Sequence, residues 1–265
     1  YPDAKTIPAA MQVRAFALVE RGPFIWIWMG DDEVRAQTEL PPDFVWHNDP
    51  NWTVTINGYE FGANYLQLHE NVMDLTHFNY VHAKSFGIDN WRAHTAKFST
   101  DGNRVSYEDT YEATDLSERE RAIANMAHPD SLRQHALAWF DTPALHTATS
   151  TVHNKPGSVL PERTYTRIAH MLTPISPTRT HYWWIVGTDA ELPPEFKQMY
   201  SEFIFRGYSE DKVMLESIQN VIDQDNRGRA YPEVSFPGDA GGIYVRRALA
   251  RIMAAEEKQA DPKAK

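Results

Sequence analysis

The pattern of apolar and polar residues changes character several times along the chain. From Met11 to Glu20 apolar residues recur on alternate positions, Arg21-Gly22-Pro23 is turn chemistry, and Phe24 to Met29 is a second strand-like run, which together predict a hairpin. Nothing else in the first 45 residues would extend that two-stranded ribbon, and Pro41-Pro42 with Asn48-Asp49-Pro50 punctuates a connector. Trp52 to Asn57, closed by Gly58, reads as the next strand. Ala63 to about His82 lacks Gly and Pro and carries helical spacing, while Ala93 to Thr100 and Arg104 to Tyr111 flank the turn signal Asp101-Gly102-Asn103. Strand-like runs recur at Ala144 to Val152, Thr164 to Leu172 and His181 to Val186. Helical spacing returns over Pro194 to Gln224, with a break expected near Gly207, and again over Tyr244 to Glu257. An early helix, antiparallel strands in the middle and long helices at the end predict an α+β domain rather than an alternating βαβ one. The expected division is a hairpin with linker over 1–45, a main domain over 46–257 and a solvated tail over 258–265.

Composition narrows the functional classes. With 42% hydrophobic and 12% aromatic residues in 265, the chain has ample material for a packed core. A net charge of −10 without any Lys/Arg-rich run argues against nucleic acid or an anionic membrane surface as partner. The longest apolar run, Phe24 to Met29, falls far short of the ~18–20 residues of a membrane span. No basic-then-apolar leader is visible and the chain starts at Tyr1, so a cytoplasmic protein and a piece of a longer chain are expected. The absence of cysteine excludes disulfides, thiolate zinc sites, a cysteine nucleophile and any iron–sulfur cluster held by these residues.

The informative stretch runs from His69 to His82. On a continuous helix Leu66, Glu70, Met73, Asp74 and His77 share one stripe, placing two carboxylates and an imidazole among apolar residues, where they need compensation. His77 and His82 are five apart and converge only if the helix ends, tightens or bulges between them. With 11 histidines, roughly 0.4–0.5 such pairs arise by chance; adding acidic residues three and seven positions upstream lowers this to roughly 0.01. The four-residue pattern is therefore specific where the pair alone is not. Far downstream, Asp211 lies on the apolar stripe of Leu215, Ile218 and Ile222. Near a helix start, such an acid by itself reads first as a cap favoured by the helix dipole. Together with the upstream pair it completes two imidazoles and one carboxylate, the facial triad with which non-haem Fe(II) oxygenases bind and activate O₂.

Glu70-x3-Asp74-x2-His77-x4-His82, with Asn71-Val72-Met73-Asp74 and Tyr80-Val81-His82, resembles the mononuclear-iron motif of the Rieske non-haem iron oxygenases, especially the vanillate and dicamba O-demethylase branch. Glu210-Asp211-Lys212-Val213, the Asp239-Ala240-Gly241-Gly242 segment with Arg246-Arg247, and the hairpin from Val13 to Gly30 extend the resemblance along the chain. It implies a helix-grip (START/Bet v1-like) fold, a curved antiparallel sheet with long helices, in which 46–257 is the catalytic domain and 1–45 the hairpin remnant of a Rieske domain. It further implies that His77, His82 and Asp211 ligate a mononuclear Fe(II), that Asp74 bridges this iron to a cluster on a neighbouring subunit, and that Glu70 supports that contact. Asn71 would lie near the metal and His170 would contact substrate; Glu202 stands where the dicamba branch has a substrate-contacting tryptophan, so the substrate would differ.

The function implied is that of an aromatic monooxygenase, O-demethylase or dioxygenase component that takes a small aromatic substrate and O₂. Electrons would come from a ferredoxin or flavin reductase, and the assembly would be a homotrimer. The Rieske [2Fe–2S] cluster needs cysteines that this chain lacks, so it must be bound elsewhere. Two rival readings are a non-catalytic helix-grip module that binds small molecules, and a zinc hydrolase using the same three ligands.

Overall fold

The computed structural model describes residues 8–85, 96–111, 133–153, 162–225 and 234–260, and the chain divides into two compact units, Tyr1–Asp49 and Pro50–Lys265. In the first unit, strands β1 (Ala17–Arg21) and β2 (Phe24–Trp28) pair antiparallel, followed by the short helix α1 (Asp32–Arg35). Gly22 turns the hairpin with φ 59°, a conformation that a side chain would strain. Its N–H donates to Asp43 Oδ1 at 3.1 Å, and Arg21 Nε donates to Pro41 O at 3.0 Å, tying the turn to the connector. The first strand is shorter than the alternation from Met11 implies. The ladder ends at the Ala17 and Trp28 pair, where the Trp28 ring folds over Gly30 and donates from Nε1 to Asp31 O at 3.0 Å, turning the chain away.

The second unit is built on seven antiparallel strands: β3 (Thr53–Phe61), β4 (Lys97–Asp101), β5 (Arg104–Tyr111), β6 (Arg133–Thr142), β7 (Leu145–His153), β8 (Arg163–Ser176) and β9 (Arg179–Thr188). Their order is β3-β9-β8-β7-β6-β5-β4, so the β4 to β9 meander returns to pair its last strand with the first strand of the unit. Helix α2 (Tyr65–Val72) and the one-turn α3 (Phe78–Val81) precede the meander; α4 (Pro194–Gln224) and α5 (Ala240–Ala260) follow it. Two buried cores form where helices meet sheet. Ile204, Tyr208 and Leu215 of α4 pack with Phe61, Leu172, Tyr182 and Trp184, and Val245, Ala248 and Leu249 of α5 pack with Val105, Tyr107 and Phe140. Helix α2 links them, because Leu68 belongs to the first core and Met73, at its end, to the second. This is the α+β, helix-grip arrangement expected from the sequence. Among the described residues, no helix is long and apolar enough to cross a membrane.

Several boundaries differ from expectation, each for a physical reason. β3 runs through Gly58 because β9 covers it: a Cβ there would stand 2.5 Å from Trp183 Cε3 and 2.7 Å from Tyr182 O. Strand β6 was not expected, since Ala136, Leu137 and Ala138 carry no strand signal of their own; pairing with β5 and β7 on both sides makes them one. Helix α4 passes unbroken through Gly207, because the buried stripe of Ile204, Tyr208 and Leu215 outweighs the ~1 kcal/mol that a helical glycine costs. Helix α5 starts earlier than Tyr244 and runs to Ala260, into what was expected to be tail; 261–265 and the start of the Ala93 to Thr100 run lie outside the described residues.

Candidate metal centre

The site is assembled from the turn after α2 and the middle of α4. Helix α2 stops at Met73 instead of continuing to His82. Asp74 Oδ1 accepts the Thr76 N–H at 2.7 Å, giving the backbone a local partner in place of another helical hydrogen bond. The single stripe expected from a continuous helix is therefore divided. Glu70 stays on α2 while His77 and His82 flank α3 at its two ends. Tyr80 and Val81 both donate their N–H to His77 O, at 2.9 and 2.8 Å, which tightens this turn. The two rings, about 140° apart on an ideal helix, thereby reach a centroid separation of 5.1 Å.

Asp211 faces them from α4. It lies deep inside that helix and is buried, so it caps nothing, and the capping reading is overturned. Its Oδ1 is 3.4 Å from His77 Nε2 and 3.2 Å from His82 Nε2, and one donor atom from each of the three residues lies within 4.8 Å of the others. Burial works against ionisation of Asp211, but the facing His77 and His82 more than offset it and hold the carboxyl at about 2. Burial likewise opposes protonation of His82, yet Asp211 and Glu210 raise its pKa above the ordinary value.

His77 Nε2 and Asp211 Oδ1 are buried and make no hydrogen bond. Unsatisfied buried polar atoms are uncommon in folded proteins and call for an ion or another partner. A first-row cation bound at about 2.0–2.2 Å from each nitrogen or oxygen donor holds its donors roughly 3–4 Å apart, the spacing at which Asp211 Oδ1 stands from each of the two imidazole nitrogens. Two imidazoles and one carboxylate fit iron, leaving coordination positions for other ligands.

The remaining expected residues lie on α2, in the turn after it, on β8 and on α4. Glu70 pairs with Arg246 of α5 and is partly exposed, so its compensation is an ion pair and solvent. Gly241 and Gly242 allow that approach: a Cβ on Gly241 would stand 2.6 Å from Met73 O, and one on Gly242 would stand 2.9 Å from Glu70 Cγ. Asp74 lies in the turn between Glu70 and His77, and Asn71 is a partly buried residue in the last turn of α2. His170 is buried on β8, with Nδ1 2.5 Å from Tyr182 Oη and its ring 5.5 Å from that of Tyr208. Glu202 is exposed and accepts from Gln198 Nε2 at 2.9 Å.

Four further residues were not singled out from sequence. Glu210 Oε2 meets His82 Nδ1 at 3.1 Å and accepts from Ser85 Oγ. His69 Nδ1 lies 2.6 Å from His146 Nε2, and His146 is the cross-strand partner of His170. Burial lowers the pKa of His69 and His170 to about 4 and that of His146 well below the ordinary value, so all three imidazoles are neutral near pH 7. The adjacency of Glu210 to Asp211 was the only local signal for any of these roles.

Known proteins match this sequence and this fold. Residues 61–255 match the family described as Vanillate O-demethylase oxygenase C-terminal domain. The toluene-4-sulfonate monooxygenase system iron-sulfur subunit TsaM1 of Comamonas testosteroni is 27% identical over 96% of this chain and 74% of its own length. The vanillate O-demethylase oxygenase subunit of Pseudomonas sp. (strain HR199 / DSM 7063) is 27% identical over 94% of this chain and 72% of its own. In fold, dicamba monooxygenase bound to 3,6-dichlorosalicylic acid superposes with a TM-score of 0.83 at 21% identity, covering 95% of this chain and 74% of that one. The chain belongs to the vanillate O-demethylase oxygenase C-terminal domain family and carries the catalytic domain of a Rieske-type oxygenase.

Proposed function

We propose that this chain is the oxygen-activating part of an aromatic monooxygenase or O-demethylase, with one Fe(II) held by His77, His82 and Asp211. The observation that carries the proposal is the convergence of these three donors from two separate elements, two of them ending in buried atoms that lack a hydrogen bond. Iron bound there supplies O₂ activation. For an aryl methyl ether the overall change is balanced: the O–CH₃ carbon is hydroxylated using O₂, two electrons and two protons, with release of one water. The resulting hemiacetal then collapses to a phenol and formaldehyde.

The chain's own residues divide the remaining work. Asp211 stays ionised because the facing imidazoles hold its pKa low, so it offers an anionic donor over the working pH range. The buried setting of His82 and Asp211 keeps bulk water from the reacting atoms. His170, neutral and anchored by Tyr182, offers its other ring nitrogen to a polar group on the substrate. Asp74 and Glu70, in and beside the turn that leads to His77, are the route by which electrons reach the site from a Rieske [2Fe–2S] centre on a neighbouring subunit of a homotrimer. A ferredoxin or flavin reductase supplies that centre. Residues 1–45 are the end of the Rieske domain, and the cluster lies outside these cysteine-free 265 residues.

The test is oxygen uptake with a competent reductase across methoxylated and unmethoxylated aromatic acids and neutral arenes. Formaldehyde released in proportion to O₂ consumed supports demethylation; O₂ uptake with a ring-hydroxylated product and no formaldehyde supports hydroxylation instead. Oxygen uptake that persists without iron would contradict both.

A further inference from the structure

We infer that Glu210 is a positioning residue that orients His82 through its Nδ1 edge, and that Ser85 holds Glu210 in place to do so. The inference rests on the reading of His82 as a metal ligand. Glu210 and Asp211 are consecutive on α4, so their side chains leave the helix about 100° apart. They arrive at opposite edges of one imidazole, Glu210 Oε2 at 3.1 Å from Nδ1 and Asp211 Oδ1 at 3.2 Å from Nε2. A neutral imidazole has a single N–H and a single lone pair, so its two edges cannot play the same role. A metal between His77, His82 and Asp211 needs the lone pair on Nε2, which puts the hydrogen on Nδ1. Glu210, when ionised, can only accept, and it stands at Nδ1. The opposite tautomer would set the Nδ1 lone pair against a carboxylate and point Nε2–H into the metal position. With a metal at Nε2, Glu210 therefore receives the Nδ1–H and fixes the plane of the ring, and its charge makes Nε2 a stronger donor.

Ser85 completes the device. Its side chain is fully buried and its Oγ donates to the same Oε2 that faces His82. Its N–H donates to His82 O at 2.8 Å, so the turn that follows α3 carries both the ligand and the group that restrains the ligand's partner. The carboxylate is held between a hydroxyl and an imidazole from one short stretch of chain. A swing of the His82 ring would break its contacts with both Glu210 and Asp211.

The experiment compares wild-type chain with Glu210→Gln, Glu210→Ala and Ser85→Ala, using Co(II) as an oxygen-stable probe. Binding is titrated by the visible absorption of bound Co(II), and the orientation of the His82 ring is read in the metal-free protein from nuclear Overhauser contacts with the Phe78 ring, whose centroid lies 5.0 Å away. Glu210→Ala is expected to weaken Co(II) binding by about 10–100-fold and to weaken those ring contacts, with Glu210→Gln restoring part of both and Ser85→Ala giving a smaller change of the same sign. Wild-type binding with Glu210→Ala within about twofold and unchanged ring contacts would overturn this inference alone. Absence of Co(II) binding in the wild type would overturn the ligand assignment and this inference with it. Because the ring contacts are read without metal and the Gln variant preserves shape, a folding defect in the Ala variant leaves the outcome decidable.

Discussion

His69 Nδ1 and His146 Nε2 stand 2.6 Å apart, a helix residue and a strand residue sharing one hydrogen bond where neither ring reaches solvent. Enclosure makes their protonation expensive, and it does the same for His170 across the strand pair from His146. Unfolded, such imidazoles take up protons below about 6.5; folded, His69 and His170 resist until about 4. Between those values the unfolded chain binds more protons, so stability is present above the window and is lost as pH falls through it, by about 3 kcal/mol for each of the two groups.

His82 acts in the opposite sense, since its folded pKa is raised and favours the folded state as pH falls. Below the ordinary carboxylate value Asp211 adds a further loss, because it stays ionised in the folded state until about 2. The unfolding temperature of the metal-free protein is therefore expected to fall steeply between about pH 6.5 and 4, and His69→Gln is expected to flatten that fall. A midpoint that rises or stays level over this range would contradict the burial of these histidines.

Gly241 lies where α5 meets the end of α2. A methyl group added there would press on the Met73 carbonyl and the Phe98 ring, and the carbonyl is backbone that cannot rotate aside. Gly241→Ala is expected to destabilise the protein by about 1–3 kcal/mol in urea unfolding and to displace the turn that carries Asp74 toward His77. Equal stability of the two proteins would mean that α5 sits farther from α2 than described.

Glu70 and Arg246 form an ion pair that is substantially exposed on both sides. Screening by solvent keeps such pairs within about 1 kcal/mol, so Glu70→Gln is expected to leave the urea midpoint nearly unchanged. On the proposed route for electrons, the same change lowers reductase-driven turnover severalfold, while turnover driven by hydrogen peroxide, which needs no electron from the cluster, persists. Equal loss in both assays would assign Glu70 to the site itself.

Much of the site was legible because its signal is local. Glu70, Asp74, His77 and His82 carry an improbable spacing, and Asp211 sits on an apolar stripe where a lone acid needs a reason. What the spacing could not convey is that Asp74 ends the helix: the competing bond from its side chain to Thr76 depends on a choice between two local partners. Asp211 was read at a helix start because Gly207 reads as a break, and only the packing of Ile204, Tyr208 and Leu215 on the sheet shows why it is not. Strand β6 carries helix-forming residues and is made a strand by its two neighbours. The His69 and His146 pair joins residues far apart in the chain, and no local pattern announces such a contact.

The central claim is that His77, His82 and Asp211 together bind iron. Its most direct measurement is the iron content of anaerobically Fe(II)-reconstituted protein, compared between wild type and His77→Ala, His82→Ala and Asp211→Ala. The expected result is about one Fe(II) per chain in the wild type and near-complete loss in each variant, with unfolding transitions that show the variants still fold. Retention of wild-type iron content by any one of the three variants, together with undiminished oxygen uptake, would contradict the assignment.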